Sequence, residues 1–207
     1  DWDAEAAEKA GFEHFMMKEI HEQPRAVKDT LNSVLKDGKI DLTDIGLAEE
    51  DIRRTSQIYI VACGSAYHVG MVAQYVIEDL VKIPVRVELA SEFRYRKPIL
   101  DPNGLVIIIS QSGETADSLA ALRETKAQGI RTLGIVNVVG SSIAREADKV
   151  FYTLAGPEIS VATTKAYSTQ LMASYILAIE FAKVKNTITE EQYENYIAEL
   201  QIPITSV

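Results

Sequence analysis

The fold of this chain is decided by residues 105–115, which read Leu-Val-Ile-Ile-Ile-Ser-Gln-Ser-Gly-Glu-Thr. The apolar run at 105–109 is bounded by turn residues, which is typical of a strand buried on both faces. Hydroxyls, an amide and a glycine follow, and then a helix-type pattern begins that includes Leu119 and Leu122. The stretch therefore predicts a buried strand that turns directly into a helix.

The turn itself suits an anion. The first N–H groups of a helix have no partners within the helix, and the helix dipole is positive there. Hydrogen-bond donors that carry no charge are added by Ser110, Gln111, Ser112 and Thr115. The alternative is an ordinary turn whose Ser and Thr side chains only cap the helix. We predict a phosphate-binding turn over residues 110–115.

Strand-like and helix-like stretches alternate on both sides of this turn. The alternation predicts a five-stranded parallel sheet with helices on both faces, an α/β three-layer sandwich. The predicted strands are Ile58–Ala62, Val85–Leu89, Leu105–Ile109, Arg131–Val136 and Lys149–Thr153. The predicted helices are 67–80, one ending near 128, 142–146, a long one through 171–182, and 189–200.

The first 55 residues have a different pattern. They are charged and helix-like and show no strand signal. Apolar residues at helical spacing predict two helices, with a break at Pro24 and with Gly38 closing the second. We therefore expect a helical segment over residues 1–55, followed by one α/β domain with C-terminal helices over residues 56–207.

Two further turns of the predicted sheet carry small or hydroxyl side chains. They read Cys-Gly-Ser-Ala at 63–66 and Val-Ala-Thr-Thr-Lys at 161–165. Ligands of such sheets bind outside the carboxyl ends of the strands, where the strand order reverses. Three polar turns at this edge indicate one binding crevice more specifically than any single turn does.

Composition excludes several classes of function. The net charge of −9 and the pI near 4.9 disfavour a nucleic-acid partner, which needs clustered Lys and Arg. The single cysteine, Cys63, favours a reducing compartment, and the N-terminus lacks the order of a signal peptide. The uncharged stretch 166–179 is shorter than the roughly 20 residues that span a bilayer. We predict a cytoplasmic protein without a membrane or nucleic-acid partner.

Other reactive side chains give weaker signals. Cys63 has no base placed beside it, and a free Cys at a strand end is usually a small buried hydrophobe. The histidines show no metal-ligand spacing, so neither a metal nor a cofactor is predicted. We expect Lys165 to have a structural partner, and we expect the Glu114 carboxylate to turn away from the anion site.

Several motifs together resemble a known family. Ala-Cys-Gly-Ser-Ala-Tyr-His at 62–68, Ser-Glu-Phe-Arg-Tyr at 91–95, Ser-Gln-Ser-Gly-Glu-Thr-Ala-Asp at 110–117 and Ala-Thr-Thr-Lys-Ala-Tyr at 162–167 resemble sugar isomerase (SIS) domains. The leading stretch Lys-Glu-Ile-His-Glu-Gln-Pro at 18–24 is similar to the start of the isomerase part of the glutamine:fructose-6-phosphate amidotransferases. The resemblance covers nearly the whole chain.

The resemblance implies a flavodoxin-like fold and a sugar-phosphate-binding role. In that family a glutaminase domain releases ammonia, and two tandem SIS domains convert fructose 6-phosphate to glucosamine 6-phosphate. This chain resembles only the first SIS domain. The resemblance therefore implies that the catalytic groups and the glutaminase domain lie outside this chain, that it is inactive alone, and that it belongs to a homodimer.

The family's binding residues carry over to specific positions here. The resemblance implies that the phosphate is contacted by Ser110, Gln111, Ser112 and Thr115. Ser65 falls near the ligand, and Val161 and Thr163 fall where a backbone carbonyl and a hydroxyl hold the sugar. The sequence departs from the family at Ala66, which replaces a frequent serine, so that side-chain contact is lost or replaced by backbone.

Two other functions remain open at this point. A sugar-phosphate sensor of a DNA-binding regulator would carry a basic helix-turn-helix in residues 1–55, a region that is mixed in charge here. A stand-alone sugar-phosphate isomerase would need its own acid–base pair, and Glu114 is poorly placed for that role. We favour the sugar-phosphate-binding half of an isomerase unit.

Overall fold

A computed structural model describes residues 9–202. The helices are α1 (Phe15–Asn32), α2 (Glu49–Arg53), α3 (Ser65–Val81), α4 (Ala90–Arg96), α5 (Ala116–Ala127), α6 (Ser142–Glu146), α7 (Lys165–Val184) and α8 (Glu190–Gln201). The strands are β1 (Leu35–Lys36), β2 (Lys39–Ile40), β3 (Ile58–Ala62), β4 (Val85–Leu89), β5 (Leu105–Ser110), β6 (Arg131–Val136) and β7 (Lys149–Tyr152). The ends of the two predicted segments, residues 1–8 and 203–207, lie outside this range.

The main sheet confirms the predicted α/β class. It has five strands in the order β4-β3-β5-β6-β7, and each neighbouring pair is parallel. This is the doubly wound order in which the second strand along the chain lies outside the first. The strand order therefore reverses between β3 and β5, and their carboxyl ends meet at this switch point.

The sheet separates two apolar cores. Alternate residues of a strand point to opposite faces, so Ile58 and Ile60 of β3 face one core while Tyr59 and Val61 face the other. The first core is covered by α1, α3, α7 and α8, and the second by α4, α5 and α6. All residues of β5 are buried, as the continuous apolar run predicts. The molecule is thus a three-layer sandwich.

The prediction of a helix break at Pro24 is wrong. Helix α1 continues through this residue from Phe15 to Asn32. A proline inside a helix leaves the carbonyl four residues earlier without its usual donor. Here the side-chain amide of Gln23 donates to the Ile20 carbonyl at 3.2 Å. A neighbouring side chain thus replaces the missing backbone bond, and packing of α1 along α7 keeps the helix intact.

The predictions that Gly38 ends a helix and that residues 1–55 contain no strand are also wrong. Gly38 lies in the turn between β1 and β2, which pair antiparallel. Asp37 and Gly38 have φ values of 52° and 76°, as the two central residues of a tight hairpin require. An Asp-Gly pair is itself a hairpin signal, so the sequence carried this information. The buried Tyr193 hydroxyl accepts from the Ile40 N–H at 2.8 Å and joins α8 to the hairpin.

Within residues 9–202, no helix combines the length and the apolar character needed to cross a bilayer. The long helix α7 is apolar because it is buried between α1 and α3 within the first core. Its burial explains why the uncharged stretch 166–179 reads as hydrophobic in the sequence.

Candidate functional site

The polar turns predicted from the sequence meet at the switch point of the sheet. Helix α3 begins at Ser65, directly after β3, and α5 begins at Ala116, after the turn that follows β5. The chain enters α3 through Gly64, whose φ of 57° and ψ of −135° suit glycine far better than any residue with a Cβ. Both helices therefore point their N-termini toward the same crevice.

Internal hydrogen bonds shape the turn at 110–115. The Gly113 N–H donates to the Ser110 hydroxyl at 3.0 Å, and the Glu114 N–H donates to the Ser112 hydroxyl at 3.2 Å. The hydroxyl oxygens of Ser110 and Thr115 lie 3.3 Å apart. These bonds fix the positions of the Ser110, Ser112 and Thr115 side chains relative to the backbone of the turn.

Thr115 occupies the N-cap position of α5 without acting as its cap. Its side chain accepts no bond from the first turn of the helix. The ordinary alternative, in which this hydroxyl serves only the helix terminus, does not describe the structure at this residue. The Thr115 hydroxyl instead shares a hydrogen bond with the Ser110 hydroxyl at 3.3 Å, at the rim of the cavity that both residues line.

Gly113 lets the turn lie directly against α6. An ideal Cβ built on Gly113 would lie 2.1 Å from the Ser141 hydroxyl oxygen, and the residue has a φ of +67°. Its carbonyl accepts from the Ile143 N–H at 3.0 Å. Only glycine satisfies both the close approach and the left-handed backbone.

The Glu114 carboxylate faces α6 instead of the cavity, as predicted. Its Oε1 accepts from the Ser142 N–H at 2.7 Å. Hydrogen bonds from Ser142, together with the charge of Arg145, hold the pKa of Glu114 below its usual value. The negative charge beside the turn therefore accepts a hydrogen bond at the N-terminus of α6.

The Glu114 carboxylate makes the stability of the fold depend on pH. The pKa of Glu114 is lower in the folded state than its ordinary value of 4.5. The ionised carboxylate therefore stabilises the fold at any pH above 4.5, and this stabilisation is lost as the pH falls through the folded-state pKa. Glu114→Gln keeps an acceptor for Ser142 but has no proton to gain. We expect the wild-type denaturant midpoint to fall more steeply than that of the variant between about pH 5 and pH 3.

A matched control removes the same charge elsewhere. Glu194→Gln alters an exposed residue of α8, so it isolates the effect of net charge. Identical pH profiles for the Glu114 and Glu194 variants would contradict the role given to Glu114.

The crevice forms a cavity of about 270 Å³. Every binding residue carried over from the family resemblance lines this cavity: Ser65, Ser110, Gln111, Ser112, Thr115, Val161 and Thr163. Ala66, which departs from the family pattern, also lies in the lining. The lining also includes Cys63 and Ile109, together with three residues that sequence reasoning did not single out, Glu158, Ser160 and Gln170.

Glu158 organises the loop at 157–164, which lines the same cavity as the turn at 110–115. Its carboxylate accepts from the Thr163 hydroxyl at 2.8 Å, the Thr164 N–H at 3.1 Å and the Ala166 N–H at 2.9 Å. These are the groups at the N-terminus of α7, where a negative charge is favourable. An acidic residue shortly before a long helix is the signal that could have identified it. The Thr163 hydroxyl, having donated to Glu158, remains an acceptor toward the cavity.

Lys165 has the structural partner that the sequence favours, whereas Cys63 is only partly buried and lines the candidate cavity. The Lys165 ammonium lies 2.6 Å from Glu22 Oε2 and lines a separate cavity of about 350 Å³ beside α1. Cys63 accepts from the Ser118 hydroxyl at 3.9 Å. Over residues 9–202, no group of three or more His, Cys, Asp and Glu side chains could hold a metal ion.

A doubly wound parallel sheet with a polar cavity at its switch point defines an α/β ligand-binding domain. The family model described as the SIS domain matches residues 51–180, and the chain belongs to this family. More particularly, the chain is similar to glutamine–fructose-6-phosphate aminotransferase (isomerizing) of Clostridium tetani. The two are 58% identical over 204 residues, which are 98% of this chain and 34% of that protein.

Solved structures agree with this relationship. The C-terminal domain of glucosamine-fructose-6-phosphate aminotransferase from Francisella tularensis superimposes with a TM-score of 0.91 at 47% identity, over 94% of this chain and 55% of that one. Glucosamine-6-phosphate deaminase from Thermotoga maritima has a TM-score of 0.70 at 26% identity, over 89% of this chain and 53% of that one. The chain spans about a third of the length of the curated relatives it matches.

Proposed function

We propose that this chain is the sugar-phosphate-binding half of the isomerase unit of a glutamine:fructose-6-phosphate amidotransferase. Its ligands are fructose 6-phosphate, the substrate, and glucosamine 6-phosphate, the product. The observation that carries the proposal is the cavity at the switch point, which uncharged polar groups from three separate turns line together with the carboxylate of Glu158. The high identity to isomerizing aminotransferases supports the choice of sugar phosphate.

The chemistry of the wall suits a phosphorylated sugar in an acidic protein. Hydrogen bonds from hydroxyl and N–H donors to a charged oxygen are stronger than those between neutral groups. Ser110, Ser112 and Thr115 supply such donors, and Glu114 directs its charge elsewhere. The opposite wall, residues 158–163, offers backbone and hydroxyl groups for the sugar end.

The role of the chain in the reaction is positioning. Clamping the phosphate end lets remote binding energy orient the reacting carbons toward groups supplied elsewhere. We assign those groups to a second SIS domain, and ammonia production to a glutaminase domain. The length of the relatives, about three times that of this chain, supports such partners. On this proposal the chain alone binds ligand but does not catalyse the reaction.

The proposal is tested by removing single hydroxyls from the turn. We expect Ser112→Ala or Thr115→Ala to weaken glucosamine 6-phosphate binding by about 1–3 kcal/mol, because a phosphate oxygen is left without a partner. Isothermal titration measures the change directly. Ser56→Ala is the control, since this exposed hydroxyl bonds Asp101 at the opposite edge of the sheet. Unchanged affinity in both turn variants would rule out this turn as the phosphate site.

Three further properties are part of the same proposal. The chain is divided at residue 55 into a helical segment and the SIS domain, works in the cytoplasm and forms a homodimer. Cys63 as the single cysteine supports a reducing compartment. Sedimentation at micromolar concentration that gave only monomer would count against the homodimer.

A further inference from the structure

Three polar residues of the segment Lys18–Pro24 in α1 contact the loop at 157–164 or helix α7. Glu19 contacts the loop at 157–164, and Glu22 pairs with Lys165 at the start of α7. Gln23 Oε1 accepts from the Ser168 hydroxyl at 2.6 Å. The polar residues of this segment therefore join α1 to the loop and to the helix that follows it.

Glu19 makes the contact closest to the site. The residue is 2% exposed, and its Oε1 accepts from the Ile159 N–H at 2.6 Å and from the Ser160 N–H at 3.2 Å. Ser160 and the next residue, Val161, both line the cavity. One buried carboxylate oxygen thus accepts from two successive N–H groups of the loop at 157–164, which lines the cavity together with the turn at 110–115.

Apolar packing does little to hold this loop. The side chain of Ile159 is 48% exposed and that of Val161 is fully exposed. Asn137 Nδ2 bonds the Gly156 carbonyl at 2.7 Å at the start of the loop, and Glu158 bonds groups at its end. Between these points, Glu19 of α1 accepts two hydrogen bonds from the backbone of the loop.

We propose that Glu19 is a positioning residue for the sugar-binding wall. Its carboxylate holds the backbone of Ile159 and Ser160 so that Ser160 and Val161 face the ligand. The inference rests on the proposed function and extends it to a residue outside the cavity. It also gives a physical reason for the Lys-Glu-Ile-His-Glu-Gln-Pro segment, which serves the ligand site without touching it.

The test combines loop order with ligand affinity in the full chain. In Glu19→Ala, two adjacent N–H groups lose their acceptor, so the loop samples other conformations. Apparent affinity falls in proportion to the population of the binding conformation, and we expect about a tenfold loss for glucosamine 6-phosphate. Hydrogen exchange in peptides covering 157–164 should accelerate in the unliganded protein.

A conservative variant separates positioning from a general loss of packing. Glu19→Gln keeps a carbonyl oxygen that can accept from Ile159 and Ser160. We expect its affinity to stay within about twofold of the wild type, since the bonds to the loop are preserved. The matched control is Gln23→Ala, which removes one bond between α1 and α7 and the bond to the Ile20 carbonyl within α1, but none to the loop. It should lower stability and leave ligand affinity unchanged.

The outcomes distinguish the inference from the function on which it rests. A wild-type protein that binds no sugar phosphate would defeat the proposed function, and the role of Glu19 in binding with it. A wild-type protein that binds, with equal affinity and equal loop exchange in Glu19→Ala, would overturn the inference alone. Equal losses of affinity in Glu19→Ala and Gln23→Ala would also overturn it, because the effect would then follow stability.

Discussion

Replacing Gly113 with alanine is expected to lower the free energy of unfolding by about 3–5 kcal/mol, since overpacking and a left-handed backbone both disfavour the new side chain. The added Cβ would lie 2.1 Å from the Ser141 hydroxyl oxygen and 2.6 Å from the Ser141 Cβ, at a φ of +67°. Either the turn or α6 must move. Because Gly113 belongs to the turn at 110–115, which we propose binds the phosphate, we also expect ligand affinity to fall.

Urea unfolding, followed by circular dichroism, measures this effect. Gly129→Ala is the matched control, because Gly129 has a similar φ of +72° and its added Cβ would meet nothing within 4 Å. That variant should show only the backbone cost of about 1–2 kcal/mol. If the two variants were equally stable, the close approach of the turn to α6 would be incorrect.

Replacing Glu22 with alanine is expected to destabilise the fold by about 3 kcal/mol, because it removes the partner of a buried charge. The side chain of Lys165 is 4% exposed, that of Glu22 is 33% exposed, and their charged atoms lie 2.6 Å apart. The partial exposure of Glu22 places the expected cost at the lower end of the range for buried pairs. Thermal and denaturant unfolding both report the loss.

Two comparisons test the physical reason. Combining Glu22→Leu with Lys165→Met removes both charges of the 2.6 Å pair and should recover part of the stability, as buried pairs replaced by apolar residues often do. The recovery is partial because Glu22 also pairs with Lys18 at 3.7 Å. Glu190→Ala breaks the pair with Lys39 at 3.4 Å, in which both side chains are more than half exposed, and should have little effect. A double variant less stable than Glu22→Ala would contradict the idea that an unpaired Lys165 causes the loss.

Local sequence patterns were sufficient to predict the strands of the central sheet. The bounds of β3, β4 and β6 agree with the prediction residue for residue, while β5 is one residue longer and β7 one residue shorter. Buried parallel strands give continuous apolar runs, and turn residues mark both ends of each run. The N-terminal segment was predicted less well. Pro24 disfavours a helix interior, and the bond from Gln23 to the Ile20 carbonyl that compensates for it is not specified by the hydrophobic pattern. At Gly38 the hairpin signal of the Asp-Gly pair was present but was interpreted as the end of a helix.

The candidate site was likewise predicted from the sequence only in part. The residues of the cavity that carry hydroxyls in recognisable turns were identified from the sequence, because their positions after strands place them at one sheet edge. Glu19, Glu158 and Gln170 were not, although the first two order the cavity wall. Their roles depend on contacts made across the fold, and in the case of Glu19 on a residue 140 positions away.

The sequence by itself determined the class of fold, the order of strands along the chain and the polar turn after β5, because these follow from short-range periodicity and turn chemistry. Tertiary structure alone decided that α1 remains one helix through Pro24, that Gly113 lies against Ser141, and that Glu19 holds the loop at 157–164. The physical reason is that burial and hydrogen bonding between distant segments are set by packing. No local pattern specifies which of the available partners a side chain will reach.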